Sequence, residues 1–352
     1  MKEKRVTIHD IARQAGIAPS SVSKALNDSP SISEKVRNLV KTIAKELNYK
    51  HNLTAANLRK GSSRTIGVIV PKINVAFFAD IIAGIEEKCF ENNHRLIICQ
   101  SDESFAKEVQ AVDTLIRQNV DCMLISLSQQ TQSNDHLREI TNHHIHLIQF
   151  DRVDHQFASH TVVNDNRQTA CKAVRHLVQQ GYKRIAFLGG PGQLALYKER
   201  KEGYLAGIGE ANLTHPYTYV ADNVLNTQTA FHKAIELFEH KKRPDAFCTV
   251  SDYAALGVLK AAMASGLKVP QDVGIVGFSN EVFSEVTSPT LSTVDQQSKM
   301  IGKEAADLYF ESILKENTPS FLHRVVNSNL VIRQSSGRKT GAKRSKPPAA
   351  TI

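Results

Sequence analysis

Residues 7–27 read TIHDIARQAGIAPSSVSKALN and hold two short helical patterns on either side of a glycine. From Ile8, apolar residues recur at i, i+3, i+4 and i+7, the spacing of one helix face, until Gly16 interrupts the pattern. Pro19 suits the first position of a second helix over 19–26. Two helices joined by a tight glycine-containing turn form a helix-turn-helix, so this stretch predicts that motif.

A third helix and a linker are predicted to follow this motif. Residues 34–47 repeat the helical spacing, and Ser33 is placed to cap them. Asn52 is placed to cap a further short helix over 53–59, and residues 61–63 have the composition of a linker. The N-terminal part of the chain is therefore expected to be a small helical domain joined to the rest by a short connection.

The second helix of a helix-turn-helix lies in the DNA major groove, where its first residues meet base edges. Ser20 and Ser21 offer hydroxyls to several base edges, and Lys24 can donate to guanine or to phosphate. Polar side chains at helix ends suit phosphate contacts. The candidate DNA-contacting residues are Thr7, Ile8, Pro19, Ser20, Ser21, Lys24, Asn27, Ser33, Tyr49 and Asn52. On spacing alone, an ordinary three-helix subdomain is the alternative.

From Thr65 onward, short apolar runs alternate with helical patterns of a dozen or more residues. The first series of runs is TIGVIV, RLIIC, CMLISL and HLIQF, at 65–70, 95–99, 122–127 and 146–150. A second series extends from TVV at 161–163 to VGIVGF at 273–278. Helices are expected over 77–92, 105–118, 134–143, 167–180, 196–211, 227–240, 253–265 and 298–314, and a final strand near 325–332.

Near-continuous apolar strands that alternate with helices indicate parallel sheets covered on both faces. Two consecutive series indicate two such sheets. The predicted fold class is therefore an all-α helix-turn-helix head followed by an α/β core of two doubly wound parallel-sheet lobes. In open sheets of this kind a ligand binds at the carboxyl ends of the strands, so a ligand cleft is expected there.

The charge of the chain is concentrated at its two ends. Residues 1–60 hold 12 Lys/Arg against 5 Asp/Glu, and residues 333–352 hold 6 basic and no acidic residues. The segment between them holds 26 basic and 30 acidic residues within a chain of net charge +9. A compact basic head favours a polyanionic partner, although a solvated basic surface is the alternative. Residues 335–352, which are almost without apolar side chains, are expected to be disordered.

The composition argues against a membrane or secreted protein. The 352 residues contain no apolar run of about 18 residues, and the N-terminus has no apolar signal-peptide core. The five cysteines are scattered without a CxxC pair, which argues against a zinc ribbon or a disulfide framework. We therefore expect a cytoplasmic protein with buried, reduced thiols.

Several stretches in order along the chain resemble the lactose-repressor (LacI/GalR) family of transcription regulators. They are VTIHDIARQAGIAPSSVSKALN, SISEKVRNLVKTIAKELNY, LRKGSSRTIGVIVP, GYKRIAFLGGP, SGLKVPQDVGIVGFSNE and PTLSTVDQ, which span residues 6–296. The resemblance extends from residue 5 to about residue 333. It implies a sequence-specific DNA-binding regulator, most simply a repressor, whose affinity for a pseudo-palindromic operator is controlled by a small molecule.

The resemblance also implies how the chain is organised. A DNA-binding domain over 1–51 and a hinge over 52–63 precede a core resembling periplasmic sugar-binding proteins over 64–334, which forms a homodimer. The first lobe is expected at about 64–161 and 294–322, and the second at about 162–293 and 323–334. In the hinge helix, Leu58 matches the leucine that family members wedge into the minor groove, and Ala55 belongs to the same DNA-contacting segment. Ala18, His51 and Ala56 depart from residues frequent in the family.

Ligand contacts are implied at the cleft edges of both lobes. Phe77 and Phe78 match an aromatic pair on which a sugar or base can stack, and Arg200 matches an arginine that grips hydroxyl or carboxylate groups. The remaining candidates follow predicted strands and are Asp151, Arg152, Ser251, Asp252 and Ser279. A structural role is the alternative for each of these residues.

The expected effector is a sugar or a sugar derivative. Ser279 stands where many relatives carry an aspartate that binds ligand hydroxyls, and Leu194 and Leu196 stand where purine-responsive relatives carry polar groups. If Arg152 and Arg200 both face the cleft, they favour an anionic ligand. No cofactor is expected apart from this effector.

The sequence does not favour two other classes of protein. An enzyme is not supported, because LGGPG at 188–192 is neither a dinucleotide fingerprint nor a P-loop. His143, His144 and His146 have no partnering cysteine or carboxylate spacing, so they do not predict a metal site. A sugar-transport component would share the core but would need a signal peptide and no basic head.

Overall fold

The computed structural model describes residues 6–49, 62–213, 219–316 and 320–338. Backbone contacts divide the chain into two compact units, one up to Ser63 and one from Arg64 onward. The predicted hinge helix over 53–59, with Asn52, Ala55 and Leu58, lies outside the described residues. No helix among those residues is both long and apolar enough to cross a membrane.

Residues 6–49 of the first unit, which the structure describes, contain three helices around a small apolar core. They are α1 (Ile8–Ala15), α2 (Pro19–Leu26) and α3 (Glu34–Glu46). Ile11, Val22 and Val40, one from each helix, are fully buried together. Gly16 ends α1 at φ 66°, a left-handed conformation that glycine adopts without a Cβ penalty. Ser33 occupies the N-cap position of α3, but its side chain makes no capping hydrogen bond, contrary to the sequence-based expectation.

The first lobe of the second unit is a six-stranded parallel sheet with helices on both faces. Its strands are β1 (Thr65–Val70), β2 (Arg95–Gln100), β3 (Cys122–Ile125), β4 (His146–Phe150), β5 (His160–Asn164) and β11 (His323–Val326). The strand order is β11-β5-β4-β3-β1-β2. The helices are α4 (Ala76–Glu91), α5 (Phe105–Arg117), α6 (Asp135–Asn142) and α11 (Ser298–Asp307).

The second lobe repeats this arrangement. Its strands are β6 (Ile185–Leu188), β7 (Val220–Ala221), β8 (Ala246–Thr249), β9 (Gly274–Phe278), β10 (Ser292–Asp295) and β12 (Asn329–Val331), in the order β12-β10-β9-β8-β6-β7. Only β12 runs antiparallel to its neighbour. The helices are α7 (Asn166–Gln179), α8 (Ala195–Glu210), α9 (Thr227–Glu239) and α10 (Asp252–Ala264), and a 3₁₀ turn spans Val282–Glu285. The predicted fold class is confirmed.

The chain passes between the two lobes at three crossings, and their positions differ from the expected boundaries. The β5 strand over 160–164 and the β11 strand over 323–326 pair with each other in the first lobe. All of β10, up to Asp295, belongs to the second lobe. The three crossings thus lie at residues 165, 296–297 and 327–328, because the alternating pattern shows strands but not the sheet that each strand joins.

Two elements near the C-terminus also differ from the expectation. The single strand expected near 325–332 is two short strands, β11 and β12, in different sheets. The helix expected over 298–314 changes at Leu308 to a π-helical segment over Leu308–Ile313, followed by a short helical turn, α12 (Leu314–Glu316).

The chain stays ordered beyond residue 334, so the start of the expected disordered tail is corrected. Ser335 and Ser336 are fully buried. Ser335 Oγ accepts from the Ser292 amide at 2.8 Å and donates to the Ile275 carbonyl at 2.7 Å. Ser336 Oγ lies 2.7 Å from His176 Nε2. Small hydroxyl side chains fit here because they satisfy backbone groups of β9 and β10 that apolar side chains would leave unpaired.

Two glycines allow α4 and α11 to pack with their backbones in close contact. A Cβ on Gly84 would lie 2.2 Å from the Lys299 carbonyl oxygen, and one on Gly302 would lie 2.1 Å from that of Ile81. The contact is reciprocal, since each helix places a glycine against the other. It fixes α11, which returns from the second lobe, onto the first.

We predict that Gly302→Ala destabilises the first lobe by about 1–3 kcal/mol, because overpacking forces the two helices apart. The matched control is Gly209→Ala in α8, where an added Cβ meets no atom within 4 Å. That substitution should leave stability unchanged or raise it by up to about 1 kcal/mol. Thermal unfolding of both variants measures the difference, and equal melting temperatures would contradict the close backbone contact.

Candidate functional site

A cavity of about 500 Å³ lies between the two lobes of the second unit. Its walls are built where strands end: Asp151 follows β4, Ser251 follows β8, and Ser279 follows β9. Parallel strands bring their carboxyl ends to one edge of the sheet, so these side chains from distant parts of the chain meet. Seven of the eight predicted ligand residues line this cavity.

Aromatic rings form one part of the cavity wall. Phe77 and Phe78 belong to the first turn of α4, and their ring centroids lie 5.1 Å apart at 72°. Both are buried in the core of the first lobe and also border the cavity. Tyr197 of α8 and Tyr253 of α10 add rings from the second lobe.

Arg200 is held rigidly on the second-lobe side. Its Nε donates to Asn166 Oδ1 at 2.9 Å, its Nη1 donates to the Val250 carbonyl at 2.9 Å, and its guanidinium carbon lies 4.4 Å from the centre of the Phe278 ring. Burial lowers the pKa of Arg200, which the nearby Asp151 carboxylate partly offsets. These contacts use Nε and Nη1 and orient the planar group at the edge of the cavity.

Arg152 is neutralised within the first lobe. Its Nη1 contacts both carboxylate oxygens of Glu103, at 2.9 and 2.7 Å. Glu103 is fixed in turn because it accepts from the Gln129 amide at 2.9 Å. Asp151, at φ 56°, supplies a second carboxylate, whose Oδ2 lies 4.0 Å from Arg152 Nε. Burial raises the pKa of Asp151, against the lowering effect of Arg152 and Arg200.

The two serines at strand ends have different tasks. Ser251 caps α10, since its Oγ accepts from the Ala254 amide at 3.1 Å, and it donates to the Leu225 carbonyl at 2.9 Å. Ser279 adopts φ 108° and donates its Oγ hydrogen to Gln296 Oε1 at 3.2 Å. Gln296 lies in the second crossing and also lines the cavity.

Asp252 is not among the cavity residues, which corrects its assignment as a ligand contact. Its side chain is fully buried, where Oδ1 accepts from Thr293 Oγ1 at 2.6 Å and Oδ2 accepts from the Glu281 amide at 2.8 Å. Desolvation raises the pKa of Asp252 to about 7. The carboxylate braces α10 against β10 and the loop after β9, which is a structural role.

Several polar residues of the cavity were missed by sequence reasoning. They are Lys72, Glu103, Gln129, Asn223, Asn226, Glu281 and Gln296. Lys72, Glu103 and Gln296 each follow a strand by one to three residues, so applying the strand-end rule to every strand would have found them. Asn223 and Asn226 follow β7, a strand of only two residues that gives a weak sequence pattern.

The predicted DNA-contacting side chains of the head are partly exposed. Thr7, Ser20, Lys24, Asn27 and Ser33 are exposed, whereas Ile8, Pro19, Ser21 and Tyr49 are half-buried. Thr7 is engaged at the start of α1, since its amide and its hydroxyl both donate to Asp10 Oδ2, at 2.9 and 2.7 Å. Ser20 and Lys24, from the first and second turns of α2, remain the clearest candidates for base contacts.

The three histidines at and just before the start of β4 do not form a metal site with other metal-ligating side chains. His143, His144 and His146 are all exposed. Within the described part of the chain, no group of three or more His, Cys, Asp or Glu residues is arranged to hold a metal ion.

Comparison with known proteins identifies both parts of the chain. Residues 7–52 match the family model described as bacterial regulatory proteins, lacI family, and residues 174–336 match that of a periplasmic binding protein-like domain. The HTH-type transcriptional repressor PurR of Vibrio campbellii (strain ATCC BAA-1116) is 30% identical over 309 residues, which cover 87% of this chain and 92% of that protein.

Solved structures show the same fold. The lac repressor dimer bound to operator and the anti-inducer ONPF matches with a TM-score of 0.83 at 22% identity, covering 95% of this chain and 99% of that one. The transcriptional regulator CelR in complex with cellobiose matches with a TM-score of 0.71 at 24% identity, covering 94% of this chain and 100% of that one.

Three findings therefore agree on the family of the chain. They are the family model that matches the head, the two-lobed core with a central cavity, and the repressor relative at 30% identity across most of both chains. The resemblance found in the sequence is confirmed: the chain belongs to the lacI family of bacterial regulatory proteins and is a DNA-binding transcription regulator under effector control, not an enzyme.

Proposed function

We propose that this regulator is a homodimeric, cytoplasmic repressor whose affinity for a pseudo-palindromic operator is set by a neutral sugar or sugar derivative. The observation that carries this proposal is the cavity between the lobes, with its aromatic wall, its amide and hydroxyl groups and its paired charges. The proposal concerns the effector, the dimer and the DNA-contacting residues, beyond the membership of the family.

The cavity lining suits a compact ligand with many hydroxyl groups. Small-molecule sites of about 300–1,000 Å³ with a few placed polar groups are typical, and this cavity of about 500 Å³ falls in that range. The rings of Phe77, Phe78 and Tyr197 offer flat apolar surfaces to the C–H face of a sugar. Gln129, Asn223, Asn226, Ser279 and Gln296 offer donors and acceptors to its hydroxyls. The cellobiose complex of the CelR regulator, which has the same fold, supports this class of ligand.

The charges of the cavity favour a neutral ligand over an anionic one. Arg152 and Arg200 both line the cavity, which was the condition for an anionic ligand. However, the three cations Lys72, Arg152 and Arg200 are matched by the three carboxylates Glu103, Asp151 and Glu281 on the same walls. An added carboxylate or phosphate would give the occupied cavity an excess of negative charge, which is costly to bury.

The proposed mechanism couples the cavity to the head. Effector binding changes how far the lobes close, and this change alters the spacing of the paired DNA-binding units. Such coupling is reciprocal: if the effector weakens operator binding, the operator weakens effector binding by the same factor.

Apolar side chains on the outer strand of the first lobe support a dimer surface. The strand β2 is an edge strand, and it carries Leu96, Ile97 and Ile98 in succession, of which Ile98 is 48% exposed. Phe90, near the end of the neighbouring α4, is 79% exposed. Proteins usually protect free sheet edges with charged side chains, so exposed apolar side chains along an edge strand indicate a covered surface.

We predict that Lys24→Ala weakens binding to the cognate operator about tenfold, because a side chain that contacts a base is worth about 1–3 kcal/mol. The operator would first be recovered by selecting fragments of genomic DNA on the purified protein. Lys35→Ala in α3, another exposed lysine of the head, is the matched control and should change affinity far less. Recovery of no enriched sequence, with and without the sugars used below, would contradict the regulator's proposed operator specificity.

We predict that neutral mono- and disaccharides, cellobiose among them, raise the melting temperature of the protein, whereas matching uronic acids and sugar phosphates do not. Arg200→Lys should weaken the binding of any active sugar at least tenfold, because a lysine cannot reproduce the guanidinium fork. Arg175→Lys, at an exposed ion pair with Glu210, is the control and should bind normally. Binding of only the acids or phosphates, measured by calorimetry, would reject a neutral effector.

We predict that Ile98→Glu converts the dimer to monomers at micromolar concentration, because a charge would be buried at the interface. The control is Val325→Glu, which adds the same charge at an exposed position of β11, the opposite edge of the same sheet. Sedimentation velocity should show a dimer for the wild type and for Val325→Glu. A dimer that survives Ile98→Glu would place the interface elsewhere.

A further inference from the structure

One side chain, that of Asn164 at the end of β5, ties the second crossing between the lobes to the ends of the strands that lead into the other two. Its Nδ2 donates to the carbonyl oxygen of Gln296 in the second crossing at 2.9 Å, and to that of Val326 at the start of the third crossing at 2.9 Å. Its Oδ1 accepts from Gln296 Nε2 at 3.1 Å. Asn164 itself leads directly into the first crossing, so one amide group links the second crossing with the ends of β5 and β11, where the first and third crossings begin.

The chemistry of these contacts fixes the orientation of the amide. Both carbonyl oxygens can only accept, so the nitrogen of Asn164 must face them, and its oxygen must face the Gln296 amide. All three hydrogen bonds are buried, since Asn164 is 5% exposed and Gln296 is 3% exposed. Losing any of them would leave a buried polar group unpaired, which makes the arrangement sensitive to small movements of the crossings.

Two chains of hydrogen bonds connect Asn164 with the cavity. On one side, Gln296 Oε1 accepts from Ser279 Oγ at 3.2 Å. On the other, Asn166 Nδ2 donates to the Asn164 carbonyl at 3.4 Å, and Asn166 Oδ1 accepts from Arg200 Nε at 2.9 Å. The first chain reaches the side-chain amide of Asn164 and the second reaches its backbone carbonyl, so groups that bind at Ser279 and at Arg200 both act on this residue.

We propose that Asn164 is the positioning residue that sets the closure equilibrium of the two lobes and passes effector contact at Ser279 and Arg200 to the crossings. Asn164 does not line the cavity, so it acts through other residues and not on the ligand itself. The role in effector response rests on the proposed function, whereas the role in lobe closure does not.

Single-molecule energy transfer tests the closure directly and without an effector. Dyes would be attached through noncanonical residues at exposed Gln110 of α5 and exposed Glu236 of α9, one on each lobe of the full chain. The variant Asn164→Asp keeps the size of the side chain but faces two carbonyl oxygens with an acceptor. We expect it, and Asn164→Ala, to broaden the inter-lobe distance distribution and to change operator affinity at least fivefold.

The matched control is Gln149→Ala in β4. Gln149 is also a fully buried amide with three hydrogen bonds, to Asp154 and Ser159, but all of them lie within the first lobe. It should lower the melting temperature without changing the inter-lobe distance. If both Asn164 variants fail to fold, Gln296→Met is the substitute. It keeps the backbone carbonyl that Asn164 contacts but loses the side-chain bonds to Asn164 and Ser279. It should change the inter-lobe distance distribution in the same direction by a smaller amount.

The proposal would be overturned if the Asn164 variants kept the wild-type inter-lobe distances, or if Gln149→Ala changed these distances as much as they do. Either result would mean that Asn164 only stabilises the fold. Failure of the wild-type protein to recover any operator would defeat the proposed function, while the distance measurement would still decide the role of Asn164.

Discussion

The parallel direction of the strands is the constraint on which the rest of this structure depends. It brings the carboxyl ends of β1, β4, β8 and β9 to facing edges of two sheets, so that residues separated by up to about two hundred positions line one cavity. The strands can be buried and apolar because their backbone groups are paired, which leaves the loops that follow them to carry the polar side chains. The position of the cavity thus follows from the topology of the sheets, whereas its polar side chains come from the loops that follow the strands.

Much of this architecture could be predicted from the sequence, because apolar periodicity reports burial directly. The helices of the head and most strands of the two lobes fall within about two residues of their expected positions, whereas β10 was not predicted and β7 begins three residues later than expected. The pairing of β5 with β11, whose partner residues are 162 positions apart, could not be predicted, because a local pattern carries no information about which sheet a strand joins. For the same reason the strand near 325–332 was not recognised as two strands.

The site was predicted less completely than the fold, and the errors have a common physical origin. Asp252 occupies a strand end as the rule requires, but its carboxylate turns away from the cavity to satisfy Thr293 and the Glu281 amide. Arg152 lines the cavity, as expected, but its effect on a charged ligand depends on the Glu103 carboxylate beside it. A position on a sheet edge can be deduced from the sequence, whereas the partner of a charged side chain depends on loop conformations such as that of Glu103 at φ 60°.

The ion pair between Glu103 and Arg152 has an evolutionary consequence. Glu103 lies in a loop, is partly accessible, and takes part in no apolar core cluster. A glutamine at this position would still accept from the Gln129 amide, but it would remove the carboxylate that lies closest to the guanidinium of Arg152. A cavity whose cations are balanced in number by carboxylates can therefore acquire a preference for acidic metabolites through one conservative replacement, with the sheets, the crossings and the head unaltered. A regulator that prefers neutral ligands and one that prefers acidic ligands would then differ by a single substitution, the loss of one carboxylate.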